Sequence, residues 1–364
     1  MENRDESVAL NLLKIVMMFF VVGMHYLSHS GFLVKEEPLT ATWCGVWLIK
    51  SFLMVCVNCF VLVTGYYMSE REGVHKEKVL ELADAMLFYS VFISFVLGIM
   101  GLVNFSVVRM VYILFPFSTK SYWFMTCYIV LYILSPYINR AVKDLNKKEF
   151  TKLLLAAILL FSIIPSLFNS IASTLDDTNG FGITWFVVLY LTGIWLKRTQ
   201  FCFKRRITAP GIYIMCSLAV FLISFMVEKV CSMGVAQSFK GYGLSYIGYN
   251  YVFVYLASIG CFLTFRQIKV KNSTLCKGIV IAAPLTGGGY LIAEHPQLRE
   301  ILFVEILQCD RYIGKSIFWI NMIIVTIGIY FICLGIEWMR KQYIGKYFKV
   351  VQKSYFIIIK KLSL

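Results

Sequence analysis

Long apolar runs recur along the whole chain and restrict its possible folds more than any other feature. A helix needs roughly 20 apolar residues to cross about 30 Å of hydrocarbon. Ten runs approach that length, and each predicts a membrane-spanning helix. They lie at about 9–29, 44–67, 79–102, 121–138, 151–170, 182–196, 209–228, 246–265, 278–296 and 316–338. The predicted fold is therefore an all-α, polytopic integral membrane protein with about ten transmembrane helices.

The composition agrees with lipid as the main solvent of this chain. Charged residues make up only 15% of the sequence and apolar residues 59%, whereas soluble domains carry roughly 25% charged residues. The first apolar run contains Lys14 and His25, which a cleaved secretory signal would avoid, so we expect it to be retained. Eleven cysteines are scattered without a metal or disulfide spacing. Cys56 and Cys59 form a C-x-x-C inside an apolar run, a position that favours core packing over redox chemistry.

The basic residues alternate between the loops in a way that indicates orientation. With the amino terminus inside, 25 of the 35 Lys and Arg residues fall in inner loops and tails and eight in outer loops. Since short cytoplasmic loops are enriched in Lys and Arg, both termini are predicted to be cytoplasmic. The net charge of +15 then reflects topology and attraction to anionic membrane lipid. Nucleic acid is not expected as a partner.

No linker divides the chain into two globular units. We expect a membrane domain at 1–344 and a basic amphipathic cytoplasmic tail at 345–364, which either lies on the inner leaflet or frays. The segment 103–120 is expected to lie along the outer membrane interface.

The first predicted span carries two ionisable residues on one face. Lys14 and His25 are eleven residues apart, which is three helical turns to within about 20° and an axial distance of roughly 16 Å. Ionisable groups inside a span are costly and usually functional. A lysine near a helix end can also reach the headgroups without any role, but imidazole takes and returns a proton near neutral pH. These positions therefore predict a basic group near the inner surface and a candidate general base in the outer half.

Several short motifs, in order along the chain, resemble those of the membrane acyltransferase 3 family. The first helix has a basic residue, ten further residues and a histidine, although Lys14 stands where the family usually has Arg. The other matching segments cover nearly the whole chain. All the segments are Asn11-Leu12-Leu13-Lys14 with His25-Tyr26, Thr64-Gly65-Tyr66-Tyr67, Tyr122-Trp123-Phe124 through Pro136, Trp185-Phe186 through Gly193, Tyr249-Asn250, and Ala283-Pro284-Leu285-Thr286-Gly287 through Glu294-His295-Pro296.

This resemblance implies a multi-pass enzyme of the bacterial cytoplasmic membrane that O-acylates glycans. The donor would be acetyl-CoA or another short acyl-CoA on the cytoplasmic side, used as a co-substrate. The acceptor would be a hydroxyl of a cell-surface or lipid-linked sugar. Direct transfer and an acyl-histidine intermediate both remain open at this point.

The expected site residues divide into three groups. His25, Lys14, Glu294 and His295 are the catalytic candidates. Lys14, Arg71, Lys76 and Lys78 are expected to bind the phosphates of the donor, since lysine serves there as a point charge. Acceptor binding is expected from Asn11, Trp123, Tyr128, Trp185, Asn250 and Arg299. For the tryptophans an interfacial anchoring role is the alternative.

Other functional classes remain as alternatives. A secondary transporter or flippase for a glycan or a small anion also suits many helices with intramembrane charges, and Gly287-Gly288-Gly289 hints at a broken helix of the kind transporters use. A metal site is not expected, because among the four histidines only His25 and His29 have a ligand-like helical spacing.

Overall fold

A computed structural model describes residues 2–119, 121–168, 179–234 and 248–362, and within these ranges it describes the side chains of 4–33 and of 35–345. Every regular element in these ranges is helical, as the apolar patterning predicts. The helices are α1 Glu2–His29, α2 Phe32–Lys35, α3 Ala41–Leu53, α4 Val55–Met68, α5 Lys76–Ile99, α6 Val107–Leu114, α7 Trp123–Ala141, α8 Lys147–Ile158, α9 Ile164–Leu167, α10 Ile183–Thr199, α11 Thr208–Ser232, α12 Val252–Arg266, α13 Ser273–Ala282, α14 Thr286–Ala293, α15 Pro296–Ile301 and α16 Phe318–Leu362.

Seven helices within the described ranges are long and apolar enough to cross a membrane. They are Arg4–His29, Ala41–Met68, Lys76–Ile99, Lys147–Leu167, Thr208–Ser232, Ser273–Ala293 and Phe318–Gly345. The other three predicted spans coincide with α7, α10 and α12. Of these, α10 has 17 residues and α12 has 15, so they extend only about 26 and 23 Å at 1.5 Å per residue. The count of ten crossings and the inner position of both termini therefore stay predictions.

Helix α1 runs through the centre of the bundle. It packs against α3, α4, α12, α13, α14 and α16, and Leu10, Leu13 and Met17 along it are fully buried. Near its end, the Tyr26 hydroxyl donates a 2.7 Å hydrogen bond to Asn321 on α16. This central position places the groups on α1 where several other helices reach them.

Glycines let α4 and α10 approach backbone to backbone. A Cβ added at Gly65 would lie 2.2 Å from the backbone oxygen of Tyr190, and one added at Gly193 would lie 2.5 Å from that of Leu62. Just beyond, the Asn139 amide on α7 donates to the carbonyls of Met68 and Arg71 at 2.7 and 2.9 Å. The turn after α4 is thereby fixed to α7 and α10.

Two segments were predicted to lie at the membrane surface, namely 103–120 on the outer side and the tail 345–364 on the inner side. The first contains the short helix α6, whose apolar side chains are largely exposed (Val107 83%, Val108 67%), as an interfacial helix requires. The tail backbone continues α16 as helix up to Leu362. Its side chains beyond residue 345 lie outside the described ones, so its contact with the inner leaflet stays a prediction.

Candidate functional site

A chain of three charged or titratable groups occupies the end of α1 and the segment after α14. His25 Nε2 lies 2.8 Å from Glu294 Oε2, and Arg299 Nη1 lies 2.5 Å from Glu294 Oε1. Glu294 is only 5% exposed, so its charge depends on these two partners. His25 Nδ1 is buried and has no hydrogen-bond partner among the described residues.

These residues sit together because two backbone elements end at the same level. Helix α14 ends at Ala293, and the chain turns at Glu294 and His295 before Pro296 begins α15. Glu294 is thus the first side chain beyond the helix end, while His25 lies one turn before the end of α1. The turn after α14 therefore places the Glu294 carboxylate beside the His25 imidazole.

A cavity of about 510 Å³ opens beside His25 and is called the His25 cavity below. Its volume is within the usual range for small-molecule sites, roughly 300–1,000 Å³. The lining residues are Met24, His25, Ser28, His29, Lys50, Met54, Trp123, Asn179, Phe181, Gly248, Tyr249, Glu294 and Arg299. The cavity therefore combines aromatic faces with a histidine–carboxylate pair and two basic side chains, Lys50 and Arg299.

Behind one wall of the His25 cavity lies a hydrogen-bonded support. The Trp185 indole donates to Asn58 Oδ1 at 3.1 Å, and the Asn58 amide donates to the Tyr249 carbonyl at 2.8 Å. The Tyr249 ring stacks on Trp123 with centroids 5.8 Å apart. Trp185 is fully buried and does not line the cavity. It orients residues that do, through Asn58, which no sequence motif singled out.

A second cavity of about 370 Å³ lies towards the end of the bundle where α1 begins, and is called the Lys14 cavity. Its cationic lining residues are Lys14, Lys78, Arg340 and Lys341, and its carboxylates are Glu81 and Glu337. Deeper walls are apolar and aromatic. Lys14 contacts Asn11 Oδ1 at 3.4 Å and lies 5.3 Å from the centre of the Tyr67 ring.

Glu337, Arg340 and Lys341 also line the Lys14 cavity, although no sequence motif singled them out. Arg340 makes a two-pronged pair with Glu337 at 2.7 and 2.9 Å, and the Tyr89 hydroxyl donates to the same carboxylate at 2.7 Å. A Cβ at Gly288 would lie 2.2 Å from Glu337 Oε2. The sequence signal that could have found them is an acid, Glu337, in an apolar run, followed three and four residues later by Arg340 and Lys341.

The glycine run does not break the helix, because Gly287, Gly288 and Gly289 lie within α14 and the irregular turn precedes them. A 3-10 turn at Ala283–Leu285 separates α13 from α14, and Pro284, Thr286, Gly287 and Gly288 line the Lys14 cavity there. The break therefore exposes backbone to a cavity rather than to lipid, the setting in which irregular structure is tolerated at membrane depth.

Not all predicted donor residues reach this cavity. Lys78 lines it but pairs with Glu81 at 2.9 Å. Arg71 and Lys76 do not line it. The Arg71 side chain instead donates to the Gly73 carbonyl at 2.8 Å and lies over the Tyr132 ring.

The predicted acceptor-binding residues do not all line one cavity. Trp123 and Arg299 line the His25 cavity, whereas Tyr128 lines the Lys14 cavity. Asn250 is buried, and its amide donates to the Phe161 carbonyl at 3.2 Å without lining either cavity. Asn11 contacts Lys14, as their shared face predicts.

His295 lies apart from His25. Its ring contacts the Ser94 hydroxyl at 3.3 Å and Tyr122 edge-on, and it lines a separate 280 Å³ pocket. Its Nδ1 accepts from the Leu298 backbone N–H and so caps α15. The other nearby imidazole, His29, stacks on His25 with centroids 5.8 Å apart. Among the described residues no cluster of three or more His, Cys, Asp or Glu side chains forms a metal site.

The two cavities approach each other to within about one helical turn. On α1, Val21 lines the Lys14 cavity and His25 lines the His25 cavity. Likewise, Tyr290 on α14 lines the Lys14 cavity, and Glu294, just after α14, lines the His25 cavity. Four residues correspond to about 6 Å along a helix. Trp123 and Phe124, adjacent on α7, also face different cavities. A thin layer around His25 and Glu294 thus separates two openings.

One comparison with known proteins gives a match. A family model described as an acyltransferase domain, that of the acyltransferase 3 family, matches residues 7–338. That range contains nearly all of α1, the whole of α2 to α15, the His25 cavity, and the Lys14 cavity apart from Arg340 and Lys341. No curated protein and no solved structure matches the chain.

Proposed function

Since the chain belongs to the acyltransferase 3 family and is a multi-pass membrane acyltransferase, we propose that it moves an acetyl or other short acyl group from acyl-CoA to a glycan hydroxyl. The acceptor is a sugar of the cell surface or a lipid-linked precursor. The proposed location is the bacterial cytoplasmic membrane, with the end of the bundle where α1 begins facing the cytoplasm, as the positive-inside charge bias favours.

The observation that carries this proposal is the meeting of two cavities at the His25–Glu294 pair. A donor made in the cytoplasm and an acceptor on the far side must meet without opening the membrane to free diffusion. Two cavities separated by about one helical turn satisfy both requirements, because an acyl group needs to pass only the short layer around His25.

The Lys14 cavity suits the donor. Its cations lie at one end and its apolar wall leads towards Val21, so phosphates and an extended pantetheine arm match opposite parts of it. Arg340 adds a guanidinium whose Nε and Nη2 pair with Glu337, which leaves Nη1 to donate to a phosphate oxygen. In this proposal Arg340 and Lys341 join Lys14 and Lys78 in donor binding.

The His25 cavity suits the acceptor. Trp123, Phe181 and Tyr249 present aromatic faces, and Ser28 adds a hydroxyl. A sugar offers apolar C–H faces and hydroxyl groups, which match these two kinds of surface. The glycan hydroxyl would then approach His25 from the side opposite the donor.

The His25–Glu294 contact assigns the imidazole tautomer. An ionised carboxylate only accepts hydrogen bonds, so Glu294 holds a proton on Nε2 and leaves the lone pair on Nδ1. That nitrogen, which lacks a partner among the described residues, takes the proton of the acceptor hydroxyl. Glu294 stabilises the imidazolium that results, as carboxylates do for catalytic histidines generally.

The transfer then balances as follows. The hydroxyl oxygen attacks the thioester carbonyl carbon and forms the new C–O bond. Collapse of the tetrahedral intermediate breaks the C–S bond, and the imidazolium returns the proton to the departing CoA sulfur. Direct transfer accounts for this arrangement without an acyl-enzyme, although acylation of Nδ1 would use the same groups.

The test is acyl transfer by the purified full chain in lipid nanodiscs, with radiolabelled acetyl-CoA and membrane glycans as acceptor. We expect His25→Ala to reduce transfer by at least 10²-fold, the lower range for a positioned base, while His75→Ala, a change at an exposed histidine on the donor side, leaves it unchanged. Transport of a glycan with no cleavage of the thioester would instead support the transporter alternative and contradict the proposal.

A further inference from the structure

Lys50 is a cation inside the bundle with no counter-ion among the described residues. It lies on α3 nine residues beyond Ala41, about 13 Å along the helix, and lines the His25 cavity. Its ammonium forms none of the described ion pairs or hydrogen bonds and lies 4.7 Å from the centre of the Trp47 ring. Such a group is expensive at membrane depth and is therefore a candidate for function.

The described lining of the His25 cavity is unbalanced in charge. Lys50 and Arg299 are the two strongly basic side chains of this lining, and His29 adds an imidazole beside them. The lining includes a single acid, Glu294, and both of its oxygens are already engaged by His25 and Arg299. Arg299 also retains a buried Nε without a partner. Donors for an anion therefore remain in the described lining, whereas its one carboxylate is already paired.

We propose that the acceptor carries an anionic group, a carboxylate or a phosphate, on or next to the sugar that receives the acyl group, and that Lys50 and Arg299 bind it. This inference rests on the proposed function and names the chemical class of its acceptor. The anion offsets the charge of Lys50 inside the bundle and orients the hydroxyl towards His25. A neutral sugar supplies no counter-ion to Lys50 and binds more weakly.

Two other roles for Lys50 give different measurable results. If its ammonium only reaches towards the headgroups, as lysines near helix ends do, its removal changes neither acceptor nor donor kinetics. If it stabilises the negative charge of the tetrahedral intermediate, its removal lowers kcat and leaves both KM values unchanged. An anion-binding role raises the acceptor KM.

The first arm of the test identifies the acceptor in cells. Glycans are isolated from cells producing the wild-type chain or His25→Ala, and the sugar whose O-acylation depends on His25 is located by mass spectrometry. A uronate or other acidic sugar, or a sugar directly bonded to a phosphate, is the expected result, and the two are told apart by sensitivity to carboxyl reduction or to phosphodiester cleavage. A neutral sugar with no adjacent anion would overturn the inference while the proposed function stands.

Absence of any His25-dependent O-acyl group would overturn both proposals. A neutral O-acylated sugar therefore contradicts only the anion-binding inference, whereas the lack of any O-acylated sugar contradicts the proposed function as well.

The second arm uses that glycan after mild de-acylation as the acceptor for the purified chain in nanodiscs. Lys50→Met should raise the acceptor KM about 10-fold to 100-fold, because a hydrogen bond to a charged group is lost, with little change in the KM for acetyl-CoA. Lys50→Arg should restore most of the affinity. An unchanged acceptor KM in Lys50→Met, or a fall in kcat alone, would overturn the proposal.

Lys35→Met is the matched control. Lys35 is an exposed lysine on the same predicted side, outside the cavity, and pairs with Asp310 at 2.6 Å. Its hydrogen bond lowers the pKa of the Asp310 carboxyl. Removing that surface cation should leave the acceptor KM unchanged, which separates a specific contact from a general attraction of the outer face for anions.

Discussion

The strongest test of the His25 assignment is the substitution Glu294→Gln. Glutamine keeps nearly the same shape but removes the negative charge, and its amide can present an N–H to His25 Nε2. In the native site this nitrogen lies 2.8 Å from a carboxylate that is only 5% exposed. The variant therefore loses both the charge that stabilises the imidazolium and the acceptor that keeps Nδ1 unprotonated.

The expected magnitude follows from that geometry. Two unit charges about 4 Å apart attract by about 4 kcal/mol at an effective dielectric constant of about 20, and a hydrogen bond to a charged group contributes up to about 3 kcal/mol. Each 1.36 kcal/mol corresponds to a tenfold change in rate. The two values describe the same contact and are not added, so the kcat of Glu294→Gln should fall about 10²- to 10³-fold.

The assay is transfer of radiolabelled acetyl by the purified chain in nanodiscs, with kcat and both KM values determined separately. Because Glu294 does not line the Lys14 cavity, the KM for acetyl-CoA should stay within about twofold of the wild-type value. Asp310→Asn is the control, since it neutralises another carboxylate of the same predicted side that pairs only with exposed Lys35. Thermal unfolding monitored by tryptophan fluorescence checks that Glu294→Gln remains folded.

A kcat within about twofold of wild type in a folded Glu294→Gln protein would refute the acid–base role of the pair. A fall in kcat accompanied by an equal rise in the donor KM would also contradict it, since the carboxylate would then act on donor binding rather than on proton transfer.

Three further changes test other parts of the structure. Lys14→Met should raise the KM for acetyl-CoA about 10-fold in a donor titration. A raised KM for the acceptor instead would contradict the assignment of Lys14 to donor binding. Gly65→Ala should destabilise the protein by about 1–3 kcal/mol, seen as a lower unfolding temperature, because its Cβ would lie 2.2 Å from the Tyr190 oxygen; unaltered unfolding would contradict this close approach. Trp185→Phe leaves Asn58 Oδ1 without its indole donor and should lower the free energy of unfolding by about 1–3 kcal/mol, again seen as a lower unfolding temperature. An unchanged unfolding temperature would contradict this hydrogen bond.

Apolar length predicted the helical class because it depends on local sequence alone. The helices at 4–29, 41–68 and 76–99 follow directly from it. The shorter helices α10 and α12 were harder to classify, since 17 and 15 residues leave a crossing dependent on the neighbouring helices. Motif order also identified the family correctly, as the match over residues 7–338 confirms.

Individual roles were less accessible to sequence reasoning. The shared face of Lys14 and His25 followed from helical periodicity, and Glu294 was selected with His295 as an adjacent pair. Adjacent residues at a helix end point in different directions, so one meets His25 and the other lines a different pocket. Trp185 resembled a cavity residue but lies behind the wall.

The sequence by itself determined that the chain forms apolar helices and that an imidazole lies within the first of them, because each depends on the order of residues along one segment. Only the tertiary structure decided which groups meet: Glu294 with His25, Glu337 with Arg340 and Tyr89 beside Gly288, and Lys50 in the wall of the cavity. Those contacts join helices distant in the chain, and their geometry depends on how closely the helix backbones approach, which no local pattern encodes.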